Sequence, residues 1–160
     1  MKLRRIIMAP LLVLASAAFA SPTAPDLFLR GAEVLSLGAQ RQLRVEGSFH
    51  YADLVQFGYP FQLVAYTEGG HFVRYDLSGT VYEGVAAPLG ASLDAGDVAA
   101  LLAESRPVAI EPVVSITDRA LDLRLPWGLP AGPLTIQIFV EYQGEILFSN
   151  PVTTAPGDVR

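Results

Sequence analysis

Leu134-Thr135-Ile136-Gln137-Ile138-Phe139-Val140-Glu141-Tyr142-Gln143-Gly144-Glu145-Ile146-Leu147-Phe148-Ser149-Asn150 is the stretch whose reading decides the fold. At a period of two, Ile136, Ile138, Val140 and Tyr142 share one face, and Thr135, Gln137 and Glu141 share the other. Gln143-Gly144 stands where the chain must reverse, with Gly supplying the left-handed conformation that a short loop needs. The stretch therefore reads as a β-hairpin. A lone hairpin is not stable in water, so the remaining strands must provide a second apolar layer for it to bury against.

Working outward, the same alternation recurs. Leu121, Leu123 and Leu125 alternate with Asp122 and Arg124 in the most regular strand of the chain. Val108 to Thr117 reads as one strand with Ile110, Val114 and Ile116 on one face. Gln42 to Tyr51 has one wet face, which places His50 in solvent. Pro60 to Thr67 and His71 to Leu77 flank Glu68-Gly69-Gly70 as a second hairpin, with Phe61, Leu63 and Ala65 opposite Gln62, Val64 and Tyr66. Thr80 to Val85 follows, so the first half of the chain reads as a meander. Between Asp26 and Gly38, Gly31 marks a bulge or bend that splits the first strand. The exception is Asp94 to Ser105, where Val98, Leu101, Leu102 and Ser105 recur at helical spacing. Asp94 is the expected N-cap with Asp97 three residues on, and Pro107 stops the helix by restricting Arg106. Eight or nine short strands with one short helix predict an all-β antiparallel sandwich, the helix bridging two sheets, with a closed barrel as the other option.

Leu121 to Pro126, Ala131-Gly132, Leu134 to Tyr142, Gly144 and Ser149-Asn150 resemble the closing strands of bacterial extracellular TIG-type immunoglobulin-like modules. Leu43-Arg44-Val45-Glu46-Gly47-Ser48-Phe49 is similar to their second strand, where a Gly and a Phe recur, although the usual paired Gly before that strand is missing and the helix is extra. The likeness covers about a third of the chain and implies an immunoglobulin-like β-sandwich. It implies no activity, because such modules host many unrelated roles.

The N-terminus reads as an export signal. Lys2, Arg4 and Arg5 precede an apolar run from Ile6 to Ala18, and Ala18-Phe19-Ala20 carries small residues where a signal peptidase cuts. The run is shorter than the about 20 residues that span a bilayer. The expected organisation is a signal peptide over 1–20, a linker over 21–25, one domain over 26–154 and a flexible tail over 155–160, in a periplasmic or secreted protein. Three of the eleven basic residues leave with the signal, so eight Arg face sixteen acidic residues, a formal charge of −8. Such a chain has no long-range attraction for nucleic acid or an anionic membrane. It has no Cys, hence no disulfide and no lipid-modified cysteine, and its only Lys is Lys2, which removes Schiff-base and P-loop chemistry from the processed chain.

Catalytic and metal-binding patterns are not found. His50 and His71 lie on separate strands with no second ligand at a metal-binding spacing, no Gly-x-Ser-x-Gly elbow occurs, and Ser48 points outward from a strand. No catalytic residues, metal or cofactor are expected. Aromatic residues are unevenly distributed: nine of fifteen fall between Phe49 and Tyr82. Phe49 and Phe61 share the apolar phase of their strands and are expected in the core. Phe57, Tyr59, Tyr66 and Trp127 are the rings expected at the surface, where planar faces suit a sugar. The resulting expectation is a non-catalytic module that binds another envelope or secreted protein in assembly or adhesion, with carbohydrate or small-ligand binding through those four rings as the alternative.

Overall fold

The computed structural model describes residues 27–49, 61–76, 79–111, 113–117, 119–126 and 128–155. The segments expected to be signal peptide and linker, His50, Phe57, Tyr59, Trp127 and the side chains of Phe49 and Phe61 lie outside the described residues. Within them the chain is all-β apart from one helix, in antiparallel sheets. The strands are β1 (Leu27–Leu37), β2 (Gln40–Phe49), β3 (Phe61–Tyr66), β4 (His71–Asp76), β5 (Thr80–Val85), β6 (Arg106–Val108), β7 (Val113–Ile116), β8 (Ala120–Leu125), β9 (Thr135–Tyr142), β10 (Glu145–Phe148) and β11 (Val152–Thr153). Helix α1 spans Ala95–Glu104. Eleven strands stand among the described residues where eight or nine were expected, because two predicted strands are each divided. Val108 to Thr117 divides into β6, which pairs with β5, and β7, which pairs with β8. Pro112, which lies between them in the sequence, has no N–H to give to a ladder. The last strand divides around Pro151 into β10 and β11, both on β9.

One sheet has the order β1-β2-β8-β7, and the other runs β10-β9-β3-β4-β5-β6 with β11 also on β9. The first half of the chain is therefore not a meander. β2 pairs with β8 and β3 with β9, so the chain changes sheets between β2 and β3. Alternation explains the shared interior. Leu43, Val45, Leu121, Leu123 and Leu125 from the smaller sheet meet Leu63, Val73, Ile136, Ile138 and Val140 from the larger in one buried cluster. The anticipated hairpin forms between β9 and β10, with Tyr142 opposite Glu145. Gln143 and Gly144 have φ of 52° and 81°, the two left-handed positions of a type I′ turn.

The outer face of the smaller sheet is wet, as the polar phase of β2 and β8 predicts. There Arg44 grips Asp122 through Nε–Oδ1 at 2.8 Å and Nη2–Oδ2 at 3.1 Å. This pairing, helped by a hydrogen bond from Ser115, holds the Asp122 carboxyl below its ordinary range against the opposing effect of burial. Val114, expected inside, is 45% exposed because the β7–β8 register slips between Val113 and Ser115.

The larger sheet is buried on both faces. Val64, Tyr66, Phe72 and Phe139 point away from the first cluster and form a second with Leu89, Leu93, Val98 and Leu101. Helix α1 supplies Val98 and Leu101, and so covers this sheet instead of bridging the two. Its N-terminus is the expected capping box, with the Asp97 amide donating to Asp94 Oδ1 at 2.8 Å and the Asp94 amide to Asp97 Oδ2 at 3.0 Å. Leu102 is on the solvent side, 47% exposed. Past the C-terminus of α1, buried Arg74 donates Nε to Ser105 Oγ at 3.1 Å and Nη1 to Gln62 Oε1, while its guanidinium lies 4.0 Å over the Tyr82 ring. Burial lowers the Arg74 pKa, and these partners offset part of its desolvation.

Candidate functional site

The β3–β4 turn is where the larger sheet opens to solvent. The Gly70 amide donates to the Thr67 carbonyl at 3.1 Å, and the Thr67 amide to the His71 carbonyl at 2.8 Å. Thr67 Oγ1 also accepts from the His71 amide at 3.2 Å, so the turn is closed by three bonds around one threonine. Gly70 sits at φ 94°, and a Cβ there would lie 2.2 Å from the Ala86 carbonyl oxygen. That close approach lets the Ala86 amide bond the Gly70 carbonyl at 3.0 Å, which directs residues 86–93 over the outer face of the sheet.

That loop is pinned twice. The Tyr66 hydroxyl donates to the Gly90 carbonyl at 2.9 Å. Buried Gln137 accepts from the Leu93 amide at 2.8 Å and donates to the Ser149 carbonyl at 2.7 Å and Ser92 Oγ at 3.2 Å. Across the opening, the loop before β9 is held at one end by Arg41, whose Nη2 donates to the carbonyls of Pro126 (3.1 Å) and Leu129 (2.8 Å). At the other end Leu134 and Thr154 exchange two bonds of 2.9 Å.

Between these walls lies a cleft of about 670 Å³. Tyr66 to Gly69 and His71 line one side, Leu89 to Ala91 and Pro130 to Pro133 two others, and Thr135 and Thr153 the end. Besides Tyr66, its ionisable side chains are Glu68 and His71, and neither of those two side chains has a hydrogen-bond partner among the described residues. No Ser or Thr hydroxyl among the described residues is bonded to the His71 imidazole, and no group of three or more His, Asp or Glu among them could hold a metal there. A smaller cavity of about 270 Å³ is lined by Gln40, Ile110, Glu111 and Arg124, whose buried Nε has no partner among the described residues.

Of the four rings expected at the surface, Tyr66 reaches the cleft, but not as a stacking platform. It is 2% exposed, because Phe72, Leu89 and the loop it bonds cover β3. Phe57, Tyr59 and Trp127 lie outside the described residues. Glu68, His71, Thr135 and Thr153 were not anticipated as neighbours. Their proximity depends on three loops far apart in sequence, and only the Glu68-Gly69-Gly70 turn left a local signal.

Burial, with a smaller contribution from Asp97, pushes the Tyr66 hydroxyl up to about 12. A phenol held neutral above its unfolded value of about 10 contributes stability that is complete below pH 10 and lost as pH rises toward the folded value. Tyr66→Phe should therefore flatten the alkaline part of a stability profile measured between pH 9 and pH 12, while costing about 1 kcal/mol at neutral pH through the lost bond to Gly90. An unchanged alkaline slope would contradict this assignment.

Comparison with protein-family models, with curated proteins and with solved structures finds no match to this chain.

Proposed function

We propose that the chain is an exported, non-catalytic immunoglobulin-like β-sandwich of the bacterial envelope or secretome, and that it binds another protein through the edge of β1. Strand order supports the fold assignment. Variable-type immunoglobulin domains run A-B-E-D in one sheet and G-F-C-C′-C″ in the other. The orders β1-β2-β8-β7 and β10/β11-β9-β3-β4-β5 follow the same sequence of first, second, penultimate and last strands, with β6 added beyond. Export is supported by the basic, apolar and Ala18-Phe19-Ala20 segments of the N-terminus. Because Lys2 is the only Lys, a chain cut after Ala20 carries a single amine, at Ser21. An amine-reactive label on the exported product should therefore mark that residue alone, and a labelled Lys2 would contradict cleavage.

The observation that carries the binding reading is the length of one edge. An unpaired strand edge is a template for a strand from another chain, and natural proteins usually shorten or interrupt it. Three edges here are so treated: β7 has four residues and a register slip, β6 has three and contains Pro107, and β10 is separated from β11 by Pro151. β1 has eleven residues, and Phe28 on it is 50% exposed. Its start is already occupied. The Leu29 amide donates to Asn150 Oδ1 and Asn150 Nδ2 to the Leu29 carbonyl, both at 2.8 Å, which imitates one step of a strand ladder and leaves Ala32 to Leu37 with no strand paired on that side among the described residues.

Asn150→Ala should cost about 2 kcal/mol in urea unfolding, two backbone groups losing their partner, and should increase self-association by uncovering that step. The function itself is tested by recovering partners from an envelope fraction with the wild type and with Phe28→Glu, whose ring is exposed enough to be changed without loss of the fold. The reading requires a partner that cross-links to β1 and is lost with Phe28→Glu. A strict monomer by light scattering that captures nothing, or captures equally well with the substitution, would refute it.

A further inference from the structure

The cleft beside the β3–β4 turn is separate from the β1 edge, and its chemistry is specific enough to assign a ligand class. We propose that it binds a neutral, hydroxyl-rich ligand of oligosaccharide size. Its volume of about 670 Å³ falls within the roughly 300–1,000 Å³ range of ligand sites. Charge narrows the class. No Arg or Lys lines the cleft, Glu68 stands at its rim, and the processed chain is strongly acidic, so a phosphate or carboxylate would enter without a counter-ion and against repulsion.

Polarity excludes the opposite extreme. An apolar ligand would strip water from Glu68 and His71, whose side chains have no partner among the described residues, and would return no hydrogen bond. A sugar offers what this lining lacks. Vicinal hydroxyls can donate to the Glu68 carboxylate and exchange bonds with the His71 imidazole and the Thr135 and Thr153 hydroxyls. The C–H faces of a sugar ring can rest on Leu89, Pro130 and Pro133.

The walls are built before any ligand arrives, which limits the ordering cost of binding. Tyr66 fixes Gly90, Gly70 fixes Ala86, and Thr154 fixes Leu134, at hydrogen-bond distances of 2.9–3.0 Å. The role of Tyr66 is thus to hold the site in shape. Recognition is assigned to Glu68 and His71 and to the threonines at the end of the cleft.

The test is an amide chemical-shift titration of the full processed chain with three neutral trisaccharides (cellotriose, maltotriose and N,N′,N″-triacetylchitotriose), and with trigalacturonate and inorganic phosphate as anionic probes. At least one neutral trisaccharide should give saturable shifts at Glu68 to His71, Gly90, Ala131, Gly132 and Thr153, with β1 and β8 unmoved. Glu68→Gln and His71→Ala should each weaken that binding about tenfold, the loss expected for one charge-assisted or imidazole hydrogen bond. Both side chains are unpartnered among the described residues, so unchanged shifts elsewhere will show that each variant is folded. Absence of saturable shifts with every neutral trisaccharide would overturn the proposal. Equal or tighter binding of either anion, or variants that bind as tightly as wild type, would overturn it as well. None of these results bears on the β1 edge, whose failure would equally leave the cleft untouched.

Discussion

Leu101→Ala is expected to lower the stability of the domain by about 3 kcal/mol, at the centre of the range for a fully buried leucine. Leu101 is the largest side chain that α1 inserts into the second cluster, where it meets the outer face of the larger sheet. A ten-residue helix is marginal on its own, so its order comes from that contact rather than from propensity. The loss should therefore be local in character. Hydrogen exchange should accelerate first in α1 and residues 86–93, while β2, β8 and the inner positions of β9 keep their protection until global unfolding. A fall of roughly 10 °C in thermal midpoint is the accompanying readout. An effect below about 1 kcal/mol would mean that the helix is not packed on the sheet in solution.

Gly84→Ala should be comparably damaging for the opposite reason. Gly84 lies on β5 opposite Phe72, and a Cβ there would stand 2.3 Å from the Glu104 carbonyl oxygen and 2.8 Å from Phe72 Cζ. Phe72 is itself buried in the second cluster, and the carbonyl belongs to the last residue of α1. Neither can give way without lifting the helix, so about 3 kcal/mol of overpacking strain is expected, by equilibrium unfolding in urea. Gly79→Ala is the contrasting control for space, since nothing lies within 4 Å of its Cβ position. At φ 142° it carries only the backbone cost of leaving glycine. If Gly84→Ala were no worse than Gly79→Ala, the close approach of α1 to β5 would be disproved.

These two positions also mark where sequence reading ends. Hairpins, strand phases and the capping box were legible because each rests on residues a few positions apart: Gln143-Gly144 for the last hairpin, Leu121-Asp122-Leu123-Arg124-Leu125 for β8, Asp94 and Asp97 for α1. Pairing across long separations was not. Nothing local distinguishes a β2 that joins β8 from one that joins β3. The second layer did leave a trace, since Leu63-Val64-Ala65-Tyr66 is apolar in both phases, as a strand buried on two faces requires. Gln137 hid it from the hairpin pattern. It occupies the apparently wet phase of β9 yet is buried, because Leu93, Ser92 and Ser149 satisfy its amide. The cleft was hidden for the same reason as the pairing: Glu68, Gly90 and Pro130 become neighbours only through the register of β3 on β9 and the path of residues 86–93.

Non-sequential pairing of β2 with β8 underlies the shared core, the strand order and the open β1 edge alike, and the natural absence of Cys makes it directly measurable. The Gly47 amide donates to the Arg119 carbonyl at 3.0 Å, so the adjacent pair, Glu46 and Ala120, falls at a non-hydrogen-bonded position. Cα atoms at such positions are about 4.5 Å apart, within reach of a disulfide. Glu46→Cys/Ala120→Cys, oxidised under native conditions, should close one intramolecular bond, losing two hydrogens in intact mass and all reaction with an alkylating reagent. Two freely alkylated thiols in a folded, oxidised double variant would contradict the pairing, and with it the arrangement from which both proposed surfaces are drawn.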